Sequence, residues 1–259
     1  MATHPTALVD RGATIHPEAE MGPYAIVGAG VTIGARTTVG AHAVIEGPTT
    51  IGEGNRIHAH AALGGPPQDL KYKGEPTTLV IGNRNIFREF STVHRGTMTG
   101  HGTTIIGDDN FFMSYVHIAH DCVIGNRTVF ANAASLAGHC VVEDDAIIGG
   151  FCVIKQFLRV GRHAFLGAFT PINKDVLPFC WTASDRDAKA WKINSVGLSR
   201  KGFSDERVRA LQKAYRILHR NRHDHEALLE ALAELAGTSE DVKFLHEFIA
   251  TSKPGVHGA

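Results

Sequence analysis

The stretch Met21-Gly-Pro-Tyr-Ala-Ile-Val27-Gly-Ala-Gly-Val-Thr-Ile33-Gly-Ala-Arg-Thr-Thr-Val39-Gly-Ala-His-Ala-Val-Ile45 carries an aliphatic side chain at every sixth residue, most often followed at once by glycine. Extended backwards, the same frame takes in Ile15 and Val9. Extended forwards, it holds Ile51, Ile57 and Leu63, and it resumes at Ile81, Phe87 and Val93. After a shift of one residue it runs again from Ile106 through Phe112, Ile118, Ile124, Phe130, Leu136, Val142, Ile148, Ile154, Val160 and Leu166 to Ile172. A helix repeats apolar residues at three and four, and a half-buried strand at two. A period of six fits a parallel β-helix, in which each hexapeptide supplies one short strand and one corner. The aliphatic residue points inward, and the glycine or small polar residue after it is expected to serve the tight turn. Three hexapeptides close a coil, so residues 18 apart should stack at the strand spacing of about 4.8 Å.

The predicted fold is therefore an all-β left-handed parallel β-helix, a hexapeptide-repeat solenoid over 1–172, with a C-terminal α-helical domain. Insertions over 65–78 and 96–104 interrupt the coils, and loops that break a solenoid are its usual functional equipment. The period ends after Ile172. Residues 173–203 read as a connector, and 204–259 as the helical domain, which would cap the solenoid's end. Within it Ser204 caps a helix to about Arg220, Asp224–Ala236 forms a second helix ended by Gly237, and Ser239–Ala250 a third.

Of the 259 residues, 26 are Lys or Arg and 26 Asp or Glu. The net charge of zero argues against wholesale nucleic-acid binding. No apolar run is long enough to be a transmembrane segment and the first residues are no signal peptide, so a cytoplasmic protein is expected. Cys122, Cys140, Cys152 and Cys180 form no CxxC pair and are expected as buried, reduced thiols.

Of the 16 histidines most lie singly at corners, among them His42, His58, His60 and His163, where packing or surface roles are expected. The segment Val116-His-Ile-Ala-His-Asp-Cys122 differs, because a carboxylate follows His120 directly and can orient a general base. His117 reads equally as a substrate contact or a corner residue. His120, Gly138, Gln156 and Lys174 are separated by 18 and form one column. A backbone N–H at Gly138 would then stand one rung from His120, where it could hold an oxyanion. Gly150 and Ala168 form a second column, whose small side chains would leave a groove suited to an acyl chain. The helix from Ser204 presents Arg209, Lys213, Arg216 and Arg220 on one face, with Arg200, Lys201, Arg207 and Arg222 nearby. Such a face is expected either as a solvated helix surface or, the stronger reading, as a docking surface for an acidic partner.

The hexapeptides, the loop Gln68-Asp-Leu-Lys-Tyr72 with Gly74-Glu-Pro76, and Val93-His-Arg-Gly-Thr97 together resemble the UDP-N-acetylglucosamine O-acyltransferases. So do His117-Ile-Ala-His-Asp-Cys122, Leu136-Ala-Gly-His139 and Gly197-Leu-Ser-Arg-Lys-Gly-Phe203. The resemblance runs nearly end to end. It implies transfer of a fatty acyl group, carried on the phosphopantetheine of acyl carrier protein, to UDP-N-acetylglucosamine in the first step of lipid A synthesis. No cofactor or metal is implied. His120 would be the general base, Asp121 its support, and the Gly138 N–H the oxyanion donor. Gln68, Asp69, Lys71, His94, His117 and His139 would bind the substrate, Gln156 would contact the nucleotide or the carrier's arm, and Asn194 and Arg200 would reach the nucleotide. Ala168 would fall where the acyl groove ends. The resemblance also implies a homotrimer with active sites between subunits. The chain departs from the family at Lys155, where a histidine is usual, and over Ser184–Lys189. Other readings share the coils: a 3-amino sugar as acceptor, a small acyl donor on coenzyme A, a non-catalytic scaffold, or a γ-type carbonic anhydrase using His94, His117 and His120 on a metal.

Overall fold

The computed structural model describes residues 2–184, 188–221 and 223–257. Its strands pair in parallel into three long, flat sheets that face one another around a prism-shaped core, the left-handed β-helix expected from the hexapeptides. Sheet A runs from Ala2–Thr3 through strands such as Arg56–Ile57 and Phe111–Phe112 to Phe165–Leu166. Sheet B starts at Leu8–Val9 and includes His117–Ile118 and Ser135–Leu136, and sheet C starts at Thr14–Ile15 and ends at Arg159–Val160. Regular rungs pair residues 18 apart, as in His117 with Ser135 and Ile118 with Leu136.

The sixth-position residues fill the prism. Ile45, Ile118, Leu136 and Ile154 are fully buried, and Phe87, Phe112 and Phe130 stack their rings at 4.8 and 5.1 Å down the axis. Each such side chain contributes roughly 1.5–3 kcal/mol of burial.

The corners correct one expectation. Apart from Gly64, at the irregularity before the first insertion, the glycines that follow the aliphatic residues do not take the left-handed corner conformation. It is taken by the residues two positions later, including Arg36, His42, Phe90, Asp121, His139 and Phe157, all with φ between 55° and 65°. The glycines answer to a different constraint. A Cβ on Gly34, Gly82 or Gly107 would lie 2.6–2.7 Å from the carbonyl oxygen of the next coil, closer than two such atoms can approach. They let successive coils pack closely.

Sheets C and A meet at a corner lined by a buried amide ladder. Asn55 Oδ1 accepts from the backbone N–H and side-chain amide of Asn85, at 2.9 and 3.0 Å. Asn85 Oδ1 accepts from Asn110 N–H, and Asn110 Oδ1 from Thr128. An unsatisfied buried polar group is expensive, so Asn85→Leu, which strips the Asn110 N–H and the Gly107 carbonyl of their partner while Asn55 Oδ1 keeps the backbone N–H, should destabilise by about 3 kcal/mol. Its melting temperature should fall by roughly 6–12 °C; calorimetry showing a melt within about 2 °C of the parent would count against the ladder.

The described residues of 173–203 hold more secondary structure than a connector. Cys180–Ser184 continues sheet A by pairing with Phe165–Leu166, then turns back as an antiparallel partner of Ala188–Ile193. Residues 185–187 lie outside the described residues. A short helix, α1 (Ser195–Arg200), follows, capped by the Asn194 side chain. The longer helices are α2 (Asp205–Arg220), α3 (His225–Ala236) and α4 (Glu240–Thr251), with Ser204, Asp224 and Ser239 accepting from their first-turn N–H groups. They bury Leu211, Leu218, Leu232, Leu245 and Phe248 in a second core. Arg159 fastens this core to the solenoid, donating to the Phe248 carbonyl at 2.8 Å with its guanidinium 3.8 Å over the Phe248 ring. No described helix is long and apolar enough to cross a membrane. All four cysteines are buried free thiols.

Candidate active site

Both insertions leave the same edge of the prism, the corner from sheet B to sheet C. The first separates Ala62–Gly65 from Thr78–Ile81 and the second separates Thr92–His94 from Thr103–Ile106. They displace the register, so that adjacent coils pair residues 30 and then 25 apart. The next coil places His120-Asp121 at this corner, and the coils beyond it place Gly138-His139 and Gln156-Phe157 there. His139 N–H donates to His120 O at 3.0 Å and Phe157 N–H to Gly138 O at 3.1 Å, which fixes the column. Lys174 continues it, its N–H donating to His257 Nε2 of the returning C-terminus.

A cleft of about 600 Å³ lies between this column and the first insertion. Gln68, Asp69 and Lys71 line one wall, His120, His139 and Gln156 the other. Two further pieces complete the wall: Thr99, from the second insertion and outside the 18-residue count, and Phe157, which lies 18 residues beyond His139 and stacks on it with ring centroids 4.4 Å apart. Leu70, between Asp69 and Lys71, is fully exposed.

The first insertion is held from below by Arg95. This arginine is buried and has no carboxylate partner among the described residues; it donates to Gly47 O, Gly64 O and the Tyr72 hydroxyl at 2.8, 2.6 and 3.2 Å. The Tyr72 hydroxyl in turn donates to Glu75 O. The charge thus fastens the Asp69–Lys71 segment to the coils.

His120 and Asp121 are hydrogen-bonded through Nδ1 and Oδ2 at 2.8 Å, with 15% of the His120 side chain exposed and none of Asp121. Burial works against ionising Asp121, but hydrogen bonds from Thr97 and His120 outweigh it and hold the carboxyl below its usual range. An ionised Asp121 requires the proton on Nδ1 and leaves Nε2 as an acceptor. Gly138 packs against this ring: a Cβ there would stand 2.5 Å from Cε1 and 2.7 Å from Nε2. The Gly138 N–H has no hydrogen-bond partner among the described residues.

The other histidines are neutral neighbours. Burial, with the adjacent His117, His120 and Arg95, pushes His94 down to about 4. Burial also lowers His117, with help from His120, and lowers His139 against the opposing pull of Asp121. His94 and His117 meet edge-on at 5.1 Å beside the cleft rather than in its wall, and His117 Nδ1 bonds Thr92 Oγ1 at 2.8 Å. Their rings offer hydrogen bonds, not charge. Asp121 Oδ2 already engages three groups and Oδ1 two. Its carboxylate clusters with His120 and His139.

Some expected site residues lie elsewhere on the chain. Gly150 and Ala168 are rung neighbours, as the Phe169 N–H to Gly150 O bond of 2.8 Å shows, but they sit on the corner from sheet A to sheet B beside the stacked, exposed Phe151 and Phe169. Asn194 caps α1 and, with Arg200, lines a second cavity of about 360 Å³ floored by Ile147, Phe165 and Trp181. Lys155 is exposed and outside the cleft wall. Arg209, Lys213, Arg216 and Arg220 are exposed on α2. Two other cations expected in that patch are diverted: Lys201 pairs with Asp145, and Arg207 with Asp241 at 2.8 Å. Arg222 lies outside the described residues.

The same combination of coils, loops and helical cap is found in known proteins. Residues 31–65 and 103–138 match the bacterial transferase hexapeptide family, and residues 175–257 match the second domain of Udp N-acetylglucosamine O-acyltransferase. The chain is 50% identical to the acyl-[acyl-carrier-protein]--UDP-N-acetylglucosamine O-acyltransferase of Thiobacillus denitrificans, over 99% of each chain. It is 51% identical to that of Anaeromyxobacter dehalogenans over 99% of each. The solved UDP-N-acetylglucosamine O-acyltransferase of Moraxella catarrhalis superposes with a TM-score of 0.95 at 40% identity, covering 99% of this chain and 100% of that one. The Francisella novicida UDP-N-acetylglucosamine acyltransferase gives 0.95 at 35%, covering 98% and 93%. With full-length identity of this order and a solenoid, insertions and helical cap that all superpose, the chain belongs to the UDP-N-acetylglucosamine O-acyltransferase family.

Proposed function

We propose that this enzyme transfers a 3-hydroxyacyl group from acyl carrier protein to the 3-hydroxyl of UDP-N-acetylglucosamine, the first step of lipid A synthesis, with His120 as general base. The observation that carries the reading is the His120–Asp121 pair opening onto a cleft whose other wall is the Asp69–Lys71 loop, with Gly138 against the reactive ring. His120 Nε2 takes the proton of the sugar hydroxyl as its oxygen attacks the thioester carbonyl. The Gly138 N–H donates to the oxyanion that forms. Collapse expels the phosphopantetheine thiolate, which recovers the proton from His120. The acyl group arrives on the carrier, so the protein needs no cofactor of its own for this step.

Asp69 and Lys71 are read as sugar and phosphate contacts, with Gln68, His139 and Gln156 beside them and His94 and His117 shaping the wall. Asn194, Arg200, Gly150 and Ala168 stand on other edges of the same chain. One continuous site joining them to His120 calls for neighbouring subunits, which supports a homotrimer with inter-subunit clefts. A cytoplasmic location completes the reading.

The test offers the purified protein a ladder of 3-hydroxyacyl carrier proteins with UDP-N-acetylglucosamine or its 3-amino analogue, and identifies products by mass spectrometry. An O-acylated sugar nucleotide is expected. Product from the amine alone would reassign the acceptor, and no product from any pair would remove the reading.

Docking of the carrier is read onto Arg209, Lys213, Arg216 and Arg220. Reversing Arg216 and Arg220 to Glu should raise KM for acyl carrier protein about tenfold at low salt. At about 0.5 M salt the difference should largely vanish, because exposed charges are then screened. An unchanged KM at low salt would locate the docking surface elsewhere.

A further inference from the structure

The second insertion folds around one carboxylate. Thr97 N–H reaches both oxygens of Asp121, at 3.1 and 3.0 Å, and His101 N–H donates to Oδ1 at 2.9 Å. The Thr97 hydroxyl donates to Oδ2 at 2.6 Å, and the Asp121 N–H donates to Thr104 Oγ1 at 2.8 Å. Gly100 lies so near that a Cβ there would run into the carboxylate. A nine-residue excursion from the solenoid is thus spent on gripping a single buried side chain of the next coil.

The Thr97 hydroxyl has a particular place in that grip. It meets Oδ2, the oxygen that also accepts from His120 Nδ1. Its own oxygen is 3.1 Å from the hydroxyl of Thr99, which lines the cleft. The circuit Thr99–Thr97–Asp121–His120 therefore leaves the cleft and returns to it. An oxygen bonded to Thr97 has the direction of its remaining lone pair set, and that direction sets the His120 ring plane.

We infer that Thr97 is a positioning residue for acyl transfer, its hydroxyl fixing Asp121 so that His120 Nε2 is aimed at the acceptor hydroxyl. This rests on the assignment of His120 as the base. The backbone contacts of the loop would hold Asp121 in place without the hydroxyl, so the hydroxyl's contribution is to aim and to share charge.

The test compares Thr97→Val, which keeps the branched shape and the N–H, with Thr97→Ser and His120→Gln. For Thr97→Val, kcat should fall about tenfold with both KM values within about twofold, since a misaimed base slows the chemical step and leaves binding alone. The acid limb of kcat/KM should move to higher pH, because Oδ2 with one donor fewer holds a protonated ring more tightly. The groups facing His120 are Asp121, His139, His94 and His117, with His101, Asp69 and Lys71 around the cleft. The substitution changes none of their formal charges, so a displaced limb reports the hydrogen bond. Thr97→Ser should recover the parent rate to within about threefold.

Loss of folded protein would scale the profile without moving it. A Thr97→Val profile that only scales, an undiminished rate, or a serine that fails to restore activity would overturn the inference. His120→Gln separates the two levels. If it is inactive while Thr97→Val behaves as the parent, only the positioning role is lost; if it retains the parent's rate, the assignment of the base falls and the inference with it.

Discussion

His120→Ala should lower kcat by about 10³-fold, within the range of 10²–10⁴ that a general base contributes. KM for the sugar nucleotide should stay within about twofold, because the Asp69–Lys71 wall is held through Arg95 and Tyr72, not through His120. The fold should survive. Asp121 loses one partner but keeps the Thr97 N–H, the Thr97 hydroxyl and the His101 N–H, so the buried carboxylate is not left unsatisfied. Steady-state kinetics, with a melting curve on the same preparation, would check both halves. A variant keeping more than about a tenth of the parent rate would remove His120 as the base. His139, the other imidazole of the cleft wall, would be the next candidate, since its ring meets that of His120 edge-on at 5.0 Å.

The fold was legible because a solenoid repeats one physical demand. Each coil needs an inward aliphatic residue at three places, and Ile45, Ile118 and Leu136 meet it with no exposure at all. Helix starts were legible for a similar local reason: Ser204, Asp224 and Ser239 accept first-turn N–H groups whatever surrounds them. The residues in the left-handed conformation were not legible. Arg36, His42, Phe90 and Phe157 share a φ forced by the corner and have no side-chain chemistry in common. The hairpin after Cys180 and the short helix α1 were also hidden. Ser195–Arg200 contains a β-branched residue and a glycine among six, a composition that tertiary packing has to override.

The column of the site came from counting by 18. That arithmetic links His120, Gly138 and Gln156 because no insertion falls between them. It fails between Thr97 and Asp121, and between Asp69 and His120, where the insertions displace the register. Spacing therefore gives Arg95 and Thr97 no role, although one grips the first insertion and the other the carboxylate. The same count separates the second column from the first, since Gly150 lies one coil and two corners beyond His120. Gly150 and Ala168 stack as expected, on a different edge from His120.

Gly138→Ala tests the site from its least reactive residue. The Gly138 φ is not in the left-handed region, so alanine brings no backbone strain, and the coil itself should tolerate it. The obstacle is the His120 ring, whose Cε1, Nε2 and Nδ1 would lie 2.5, 2.7 and 3.0 Å from the new methyl. Contacts that short cannot persist, so the ring must turn away and strain or lose its 2.8 Å bond to Asp121. The methyl also enters the space beside the Gly138 N–H, where the thioester oxygen must sit for that donor to serve it. Losing aim and oxyanion contact together should reduce kcat by about 10²–10³-fold, close to the loss on deleting the imidazole. The melting temperature should fall by only a few degrees, about what 1 kcal/mol of local crowding produces in a chain of this size. The double variant His120→Ala/Gly138→Ala discriminates the causes. If the methyl acts only by displacing the ring, the double variant should be no slower than His120→Ala alone. A further loss of about tenfold or more would assign the remainder to the oxyanion donor, and a single Gly138→Ala variant with parent activity would show that the ring at 120 need not hold the position drawn for it.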